Sequence, residues 1–504
     1  MIKNTLYLTL VLLFISSGLF AQMHKCGVDH SMGAMIQDQL IFNRNEMRDV
    51  TTVRNATVYL PVRFFLVARS DGSERVRETT ALNALCTLNG NYADQEIQFF
   101  IEEIKYLNNT QVHTNPISNF GFNTISAQMN NNYDAINIFL VKEAGGGAAA
   151  YYQPPAGPSG NDWVVSGESY ANDFETLTHE IGHFFSLNHP FYGWESEGWN
   201  LADHGNPVGT FSPDGVRNEY ADGTNSDIAG DMIEDTPADY RFDFPGNDGC
   251  TYNLNVMDPK GDLISPDITN FMNYGSCNTS DYHFTDDQKA EIQNSLNSSS
   301  RAYIPKDITP NLNEITSSPV LLSPQSLERI ETYNYVVLEW APVDNAEHYL
   351  IELNNTETGQ EFYIEDDTEL VLTNLLPEET YFWRVKAYTD YSTCQSPSGQ
   401  QIFRTGSEVV SDTNEIPGLN SWTLAPNPVK SGSTLLVNVD ANVSFSADIL
   451  ITTITGQTVQ QYRNQDFADG ITAFEIDTNG MPAGTYLVSL FSEEGVQTRR
   501  ASIY

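Results

Sequence analysis

The chain has 504 residues, 40% of them hydrophobic, too many for one compact domain and enough for several cores. Its 66 acidic residues against 25 basic ones give a net charge of −41, which repels phosphate backbones. No basic stripe offsets that charge, so nucleic acid is excluded as a partner. The acidic surplus is spread along the chain and reads either as solubility of an exported protein or as carboxylate loops that hold calcium.

The chain opens with Lys3 and an apolar run from Leu6 to Phe20, followed by the small residue Ala21. This is the pattern of a secretory signal over 1–21, and it is short of the ~20 residues that a retained span needs. No later segment is apolar enough to anchor the chain, so the sequence predicts a protein outside the cytoplasm. From 22 to about 55 the residues are polar without clear period. Thr57–Val67 reads as a strand and Asn91–Tyr106 as an amphipathic helix with Ile97, Phe100, Ile101 and Ile104 on one face. Strands follow at Asn137–Val141 and Asp162–Ser166, and a helix at about Asn172–Leu187. Alternating elements of this kind indicate an α/β unit over 51–300.

That last helix carries His179-Glu180-Ile181-Gly182-His183. Histidines four apart project from one helix face and can share a metal, while the glutamate between them reaches a metal-bound water. His189, beyond the helix end, supplies a third imidazole and leaves zinc an open position. By chance the pentapeptide arises in such a chain on the order of one time in a hundred, before the third histidine is counted. The motif resembles the metzincin pattern His-Glu-x-x-His-x-x-Gly-x-x-His, with Ser186 at the glycine position. Asn270-Phe271-Met272-Asn273-Tyr274-Gly275 resembles the Met-turn of the same group. The resemblance implies that Met272 floors the metal and that Tyr274 binds the oxyanion.

Within the metzincins the chain is similar to the pappalysins, through His179–His189, Asp235-Thr236-Pro237, Asn270–Tyr274, Cys277 and Phe284-Thr285 with Gln288. That likeness implies a disulfide between Cys250 and Cys277, and calcium near the site, with Asp258, Asp262 and Asp267 as candidate ligands. An exposed acidic loop is the alternative reading of those aspartates. Cys26, in the pro-segment 22–50, resembles the cysteine switch of latent metalloproteases, its thiolate taking the water position on zinc. A free cysteine in a polar segment is the other reading. Cys86 reads as a buried structural thiol, and the six other histidines show no ligand spacing.

After Ser318 the character is all-β. Val336–Trp340, His348–Leu353 and Tyr381–Tyr388 read as strands, and Leu376-Pro377-Glu378-Glu379-Thr380-Tyr381 with Trp340 resembles a fibronectin type III module over 319–405. Cys394 has no evident partner there. The final segment, 422–504, opens on Ala425-Pro426-Asn427-Pro428 and carries Pro482-Ala483-Gly484-Thr485-Tyr486-Leu487. It resembles the C-terminal sorting domain of Bacteroidetes type IX secretion, which implies secretion machinery as a partner.

The fold class expected is therefore multidomain: a metzincin-like α/β zincin followed by two all-β sandwiches. The function expected is that of a secreted, latent zinc endopeptidase acting on protein or peptide substrates through Glu180, with Zn2+ and Ca2+ as cofactors. The alternative is a surface adhesin that keeps a zincin fold and works by binding.

Overall fold

The computed structural model describes residues 24–48, 56–129, 132, 134–155, 161–242, 252–274, 281–310, 312–408, 416–453, 458–492 and 495–504. The expected signal sequence over 1–21 and both members of the expected Cys250–Cys277 disulfide lie outside the described residues. The chain divides into two compact units, Met1–Pro310 and Asn311–Tyr504.

The elements of the first unit, in order, are β1 (His24–Cys26), α1 (His30–Met47), β2 (Val58–Ala68), α2 (Glu78–Asn91), β3 (Ile97–Asn108), α3 (Thr110–Thr114) and α4 (Asn119–Met129). They continue with β4 (Ile136–Val141), β5 (Ala148–Gln153), β6 (Trp163–Gly167), α5 (Thr176–Phe184), α6 (Leu201–His204) and α7 (Asp286–Asn297). The strands form one sheet in the order β1-β5-β6-β4-β2-β3. β2, β3, β4 and β6 run parallel, β5 runs against β6, and β1 runs parallel to β5. β2 and β4 are almost wholly buried and correspondingly apolar, as central strands covered on both faces must be. α7 begins with a capping box, in which Thr285 and Gln288 each satisfy the other's backbone N–H.

Two sequence expectations are corrected here. The stretch expected as a helix over Asn91–Tyr106 is the end of α2, a short 3-10 turn and strand β3. Ile97, Phe99 and Ile101 are buried at period two against β2, so sheet pairing overrides the helical spacing of 97, 100, 101 and 104. The segment expected to be polar and without period, 22 to about 55, contains an 18-residue helix, α1, preceded by strand β1.

In the second unit, eight strands precede residue 409: β7 (Leu321–Ser323), β8 (Glu328–Thr332), β9 (Val336–Trp340), β10 (His348–Asn355), β11 (Gly359–Glu365), β12 (Glu369–Leu372), β13 (Thr380–Tyr388) and β14 (Gln401–Glu408). They form sheets β11-β10-β13-β14-β8 and β12-β9-β7, whose inward faces share a core with Trp340, Tyr381 and Trp383. Tyr381 makes the expected corner, its Oη accepting the Leu376 N–H at 2.7 Å. Seven more strands follow: β15 (Leu419–Ala425), β16 (Thr434–Ala441), β17 (Phe445–Thr453), β18 (Thr458–Phe467), β19 (Gly470–Asp477), β20 (Gly484–Ser492) and β21 (Gly495–Ile503). They form sheets β15-β16-β19 and β18-β17-β20-β21 about a core with Trp422. Cys86 and Cys394 are each disulfide-bonded, which corrects the readings of Cys86 as a buried structural thiol and of Cys394 as without an evident partner.

Candidate metal centre

All nine residues of α5 are buried, because the helix runs between the sheet and the loops that follow it. Its end sets the position of the third histidine. The Leu187 N–H reaches the Gly182 carbonyl and the Ser186 N–H the His183 carbonyl, the two bonds of a Schellman turn. That turn needs a left-handed residue, and Ser186 supplies it at φ +73°. Glycine is the usual occupant, since a side chain there costs roughly 1–2 kcal/mol. Serine recovers part of this, because Asn43 of α1 donates to its Oγ at 3.0 Å. The chain then doubles back and delivers His189 to the other two histidines.

His179 Nδ1 lies 2.7 Å from the Phe271 carbonyl, and His183 Nδ1 lies 2.7 Å from the Leu187 carbonyl. A carbonyl only accepts, so in both rings Nδ1 holds the proton and Nε2 the lone pair. His189 Nδ1 faces the Glu195 carboxylate at 3.4 Å, which assigns it the same tautomer. The three Nε2 atoms are 3.1, 3.2 and 3.2 Å apart. Protonation does not bridge them, since burial depresses His183 well below the ordinary range and His189 to about 3. Three lone pairs converging in a dry site call for a cation. Zinc–nitrogen bonds of about 2.0–2.1 Å in a tetrahedron place ligand nitrogens roughly 3.3 Å apart, close to the spacing found. The donor set therefore fits zinc.

Around this point the other predicted residues fall into place unevenly. Glu180 is fully buried, and its Oε1 has no hydrogen-bond partner among the described residues. Burial pushes its carboxyl up to about 8. Cys26 sits directly above: Sγ is 3.5 Å from His183 Nε2 and donates to Glu180 Oε2 at 3.6 Å. Burial, then the charge of Glu180, pushes the thiol well up, so a thiolate there needs a cation beside it. The ligand atoms of Cys26, His179, His183 and His189 all lie within 4.8 Å of one another. Tyr274 stacks edge-on to His189 at 4.9 Å, and its Oη donates to the Cys26 carbonyl at 3.2 Å. Met272 lies under the helix, fully buried. A Cβ at Gly182 would collide with Met272 Sδ, which explains the glycine inside the histidine motif.

The expected calcium ligands are not gathered. Asp258 spends Oδ2 on the Ala221 N–H and Oδ1 on the N–H groups of Lys260 and Asp262. Asp267 accepts from Thr269 and pairs with His283 at 3.1 Å. Asp262 lends this loop its backbone carbonyl, which accepts from the Asp258 N–H. These side chains organise turns, and none falls in a metal-like group of the described residues.

Sequence reasoning missed a different acidic pair. Glu219 and Asp231 are 3% and 0% exposed, yet neither has a basic partner within salt-bridge distance among the described residues. Glu219 Oε2 is without a hydrogen bond and presses on Gly230, where a Cβ would meet it at 2.8 Å. Thr236, in the quoted Asp-Thr-Pro stretch, donates to Asp231 at 3.0 Å, the one signal that could have led to the pair. Histidines without ligand spacing also meet carboxylates, in the groups His30–Glu195–Asp214 and Glu347–His348–Asp390.

Residues 80–190 match the family model described as metallo-peptidase family M12B, reprolysin-like. Residues 423–504 match the secretion system C-terminal sorting domain. An extracellular metalloprotease of Neurospora crassa is 31% identical over 152 residues, which cover 28% of this chain and 52% of that protein. An extracellular metalloprotease of Sordaria macrospora is 28% identical over 153 residues, covering 27% and 53%. The chain thus spans about half the length of the curated relatives it matches. Among solved structures, one titled FN3tt is 22% identical, covers 18% of this chain and 99% of its own, and has a TM-score of 0.15. The fibronectin(III)-like modules of Clostridium thermocellum CbhA are 14% identical, cover 37% and 93%, and also score 0.15. The match to a secretion sorting domain and the likeness to extracellular metalloproteases support a secreted or cell-surface location, and no described helix is long and apolar enough to cross a membrane.

Proposed function

We propose that this chain is the latent precursor of a secreted, zinc-dependent endopeptidase of the pappalysin kind. The observation that carries the reading is the convergence of three buried imidazole lone pairs beside a buried carboxylate with a free oxygen. A zinc ion held by His179, His183 and His189 would supply a Lewis acid that polarises the scissile carbonyl and acidifies a water. Glu180 takes the proton of the attacking water on Oε1 and delivers it to the leaving amine. Tyr274 Oη, bonded in the precursor to the Cys26 carbonyl, turns to the developing oxyanion once that carbonyl has gone.

The substrate takes the place of β1. Its peptide lies along the free edge of β5, antiparallel to it, and borrows the backbone groups that β1 holds in the precursor. β1 runs the opposite way, parallel to β5, so it fills the edge without presenting a peptide bond in the productive direction. Residues 22–50 act as the pro-segment, in which Cys26 would hold the zinc together with the three histidines in place of a water. Calcium, expected from the pappalysin likeness, is placed at Glu219 and Asp231 rather than at the three loop aspartates. The fibronectin-like module and the sorting domain serve substrate or surface engagement and export.

Glu180→Ala in the processed enzyme tests the reading. We expect one zinc per chain by elemental analysis and a loss of peptide hydrolysis of at least about 10³-fold, close to what a chelator produces. Hydrolysis that survives either treatment sinks the assignment.

A further inference from the structure

Helix α1 covers a cavity of about 300 Å³ beside the metal centre. The catalytic side of this cavity is Tyr152, Pro154 and Pro155 from the end of β5, His183 and Ser186 from α5 and its cap, and Arg301 at the floor. From α1 the cavity is lined by the apolar Met35, Ile36 and Phe42 and by the polar Asp38 and Gln39. The floor has no net charge, because the Arg301 guanidinium faces Asp162 at 3.2 Å with both side chains 2% exposed. Tyr152 and Tyr303 donate to the two oxygens of the same aspartate at 2.8 and 2.6 Å. Arg301 also lies flat over the Phe184 ring, 4.1 Å from its centre. Rings, prolines and a neutralised ion pair suit an apolar side chain and would strand a charged one.

Position along β5 fixes which part of a substrate meets this cavity. Cys26, above the histidines, is paired with Ala150, and the cavity opens further along the strand, from Tyr152 to Pro155. For a peptide antiparallel to β5, that direction is towards its amino terminus. Tyr152, at the near end of the cavity, is two positions along the strand from Ala150, which puts that end two to three residues before the scissile bond.

We infer that, once α1 has left, this cavity is the subsite that takes a large apolar side chain two to three residues before the cleaved bond. The inference rests on the endopeptidase reading above and names a specificity for the same site. Ile36, only 1% exposed, and its apolar neighbours occupy in the precursor the ground that the substrate side chain takes later.

The test is a peptide-library digest by enzyme processed from the full chain, read by mass spectrometry. We expect Leu, Met or Phe to be favoured over Asp, Glu or Lys by about tenfold in kcat/KM at one of those two positions. Pro155→Asp, a change in the cavity wall, should convert that preference to Lys or Arg. A flat profile there, or an acidic preference drawn by Arg301, overturns the inference while leaving the endopeptidase reading intact. An apolar preference that Pro155→Asp leaves unmoved overturns it too. A library left wholly uncut counts against the endopeptidase reading itself.

Discussion

Ser186 stands where a Schellman turn asks for glycine, and its partner Asn43 belongs to α1, in the proposed pro-segment. The left-handed serine costs about 1–2 kcal/mol, and one hydrogen bond returns about 1 kcal/mol. Both terms act in the precursor, but only the cost remains after α1 leaves, apart from a long 3.4 Å contact to Ser295. Ser186→Gly should therefore raise the melting temperature of the processed enzyme by about 2–4 °C and leave the precursor nearly unchanged. Equal shifts in the two forms would show that Asn43 does not offset the strain. A second residue-scale expectation concerns Glu219 and Asp231. Burial, and for Glu219 then the charge of Asp231, raises both carboxyls above their unfolded value of about 4, so the folded chain binds protons more tightly than the unfolded one. Without a cation, stability must then fall as pH climbs from about 4 through the raised folded values. Calcium favours both groups ionised and should reverse the trend. Thermal melts at pH 5 and pH 8, with calcium and with chelator, check this, and a melting temperature indifferent to calcium at pH 8 removes calcium from this pair.

At the scale of elements, what was legible follows from the type of residue each element buries. β2, β4 and β6 bury apolar side chains and were readable at once, as was α5 with its histidines. α1 was not, although its buried positions Gly33, Ile36, Gln37, Leu40, Asn43 and Met47 keep helical spacing. Three of these six are glycine, glutamine and asparagine, so the stripe carries no hydrophobic signal. They are there to bind the metallopeptidase domain. Asn188 donates to the Gly33 carbonyl and the Gln37 side chain at 3.0 and 2.6 Å, and Arg44 pairs with Glu291 at 2.8 Å. The proposed pro-segment therefore has two attachments, Cys26 at the centre and α1 beside it. Cys26→Ala should free the metal yet leave the cleft covered, giving a precursor with partial activity on small peptides and little on proteins. Adding Ile36→Asp, which buries a charge where α1 seats, should release protein cleavage as well. If Cys26→Ala alone gives full activity on protein substrates, α1 contributes nothing to latency.

For the second unit as a whole, the two β-sandwich layers share a surface as well as a linker. Val371 of β12 packs with Leu450, Phe491 and Val496 from the sorting domain, and Tyr335 stacks on Phe491 at 4.9 Å. β12 is an edge strand, and side chains of β18 take up its free backbone groups. Gln461 accepts the Val371 N–H at 2.9 Å and donates to the Glu369 carbonyl at 2.7 Å, while Thr458 donates to the Val371 carbonyl at 3.1 Å. Arg463 bridges Asp448 and Glu369 at 2.8 and 3.1 Å, joining the two layers electrostatically. An edge capped in this way is hidden from pairing with other chains, which matters for a protein that crosses to the exterior. Phe491 is 9% exposed, so removing its ring should cost about 3 kcal/mol, most of it at this junction. Residues 311–504 should thus melt in one calorimetric transition, and Phe491→Ala should split it into two, the lower belonging to the sorting domain. Peptide hydrolysis by the full processed chain should not change, because the substitution lies in the other compact unit. A single transition that survives Phe491→Ala at the same temperature would mean that the junction is a contact without energetic weight, and that the module before the sorting domain is a spacer.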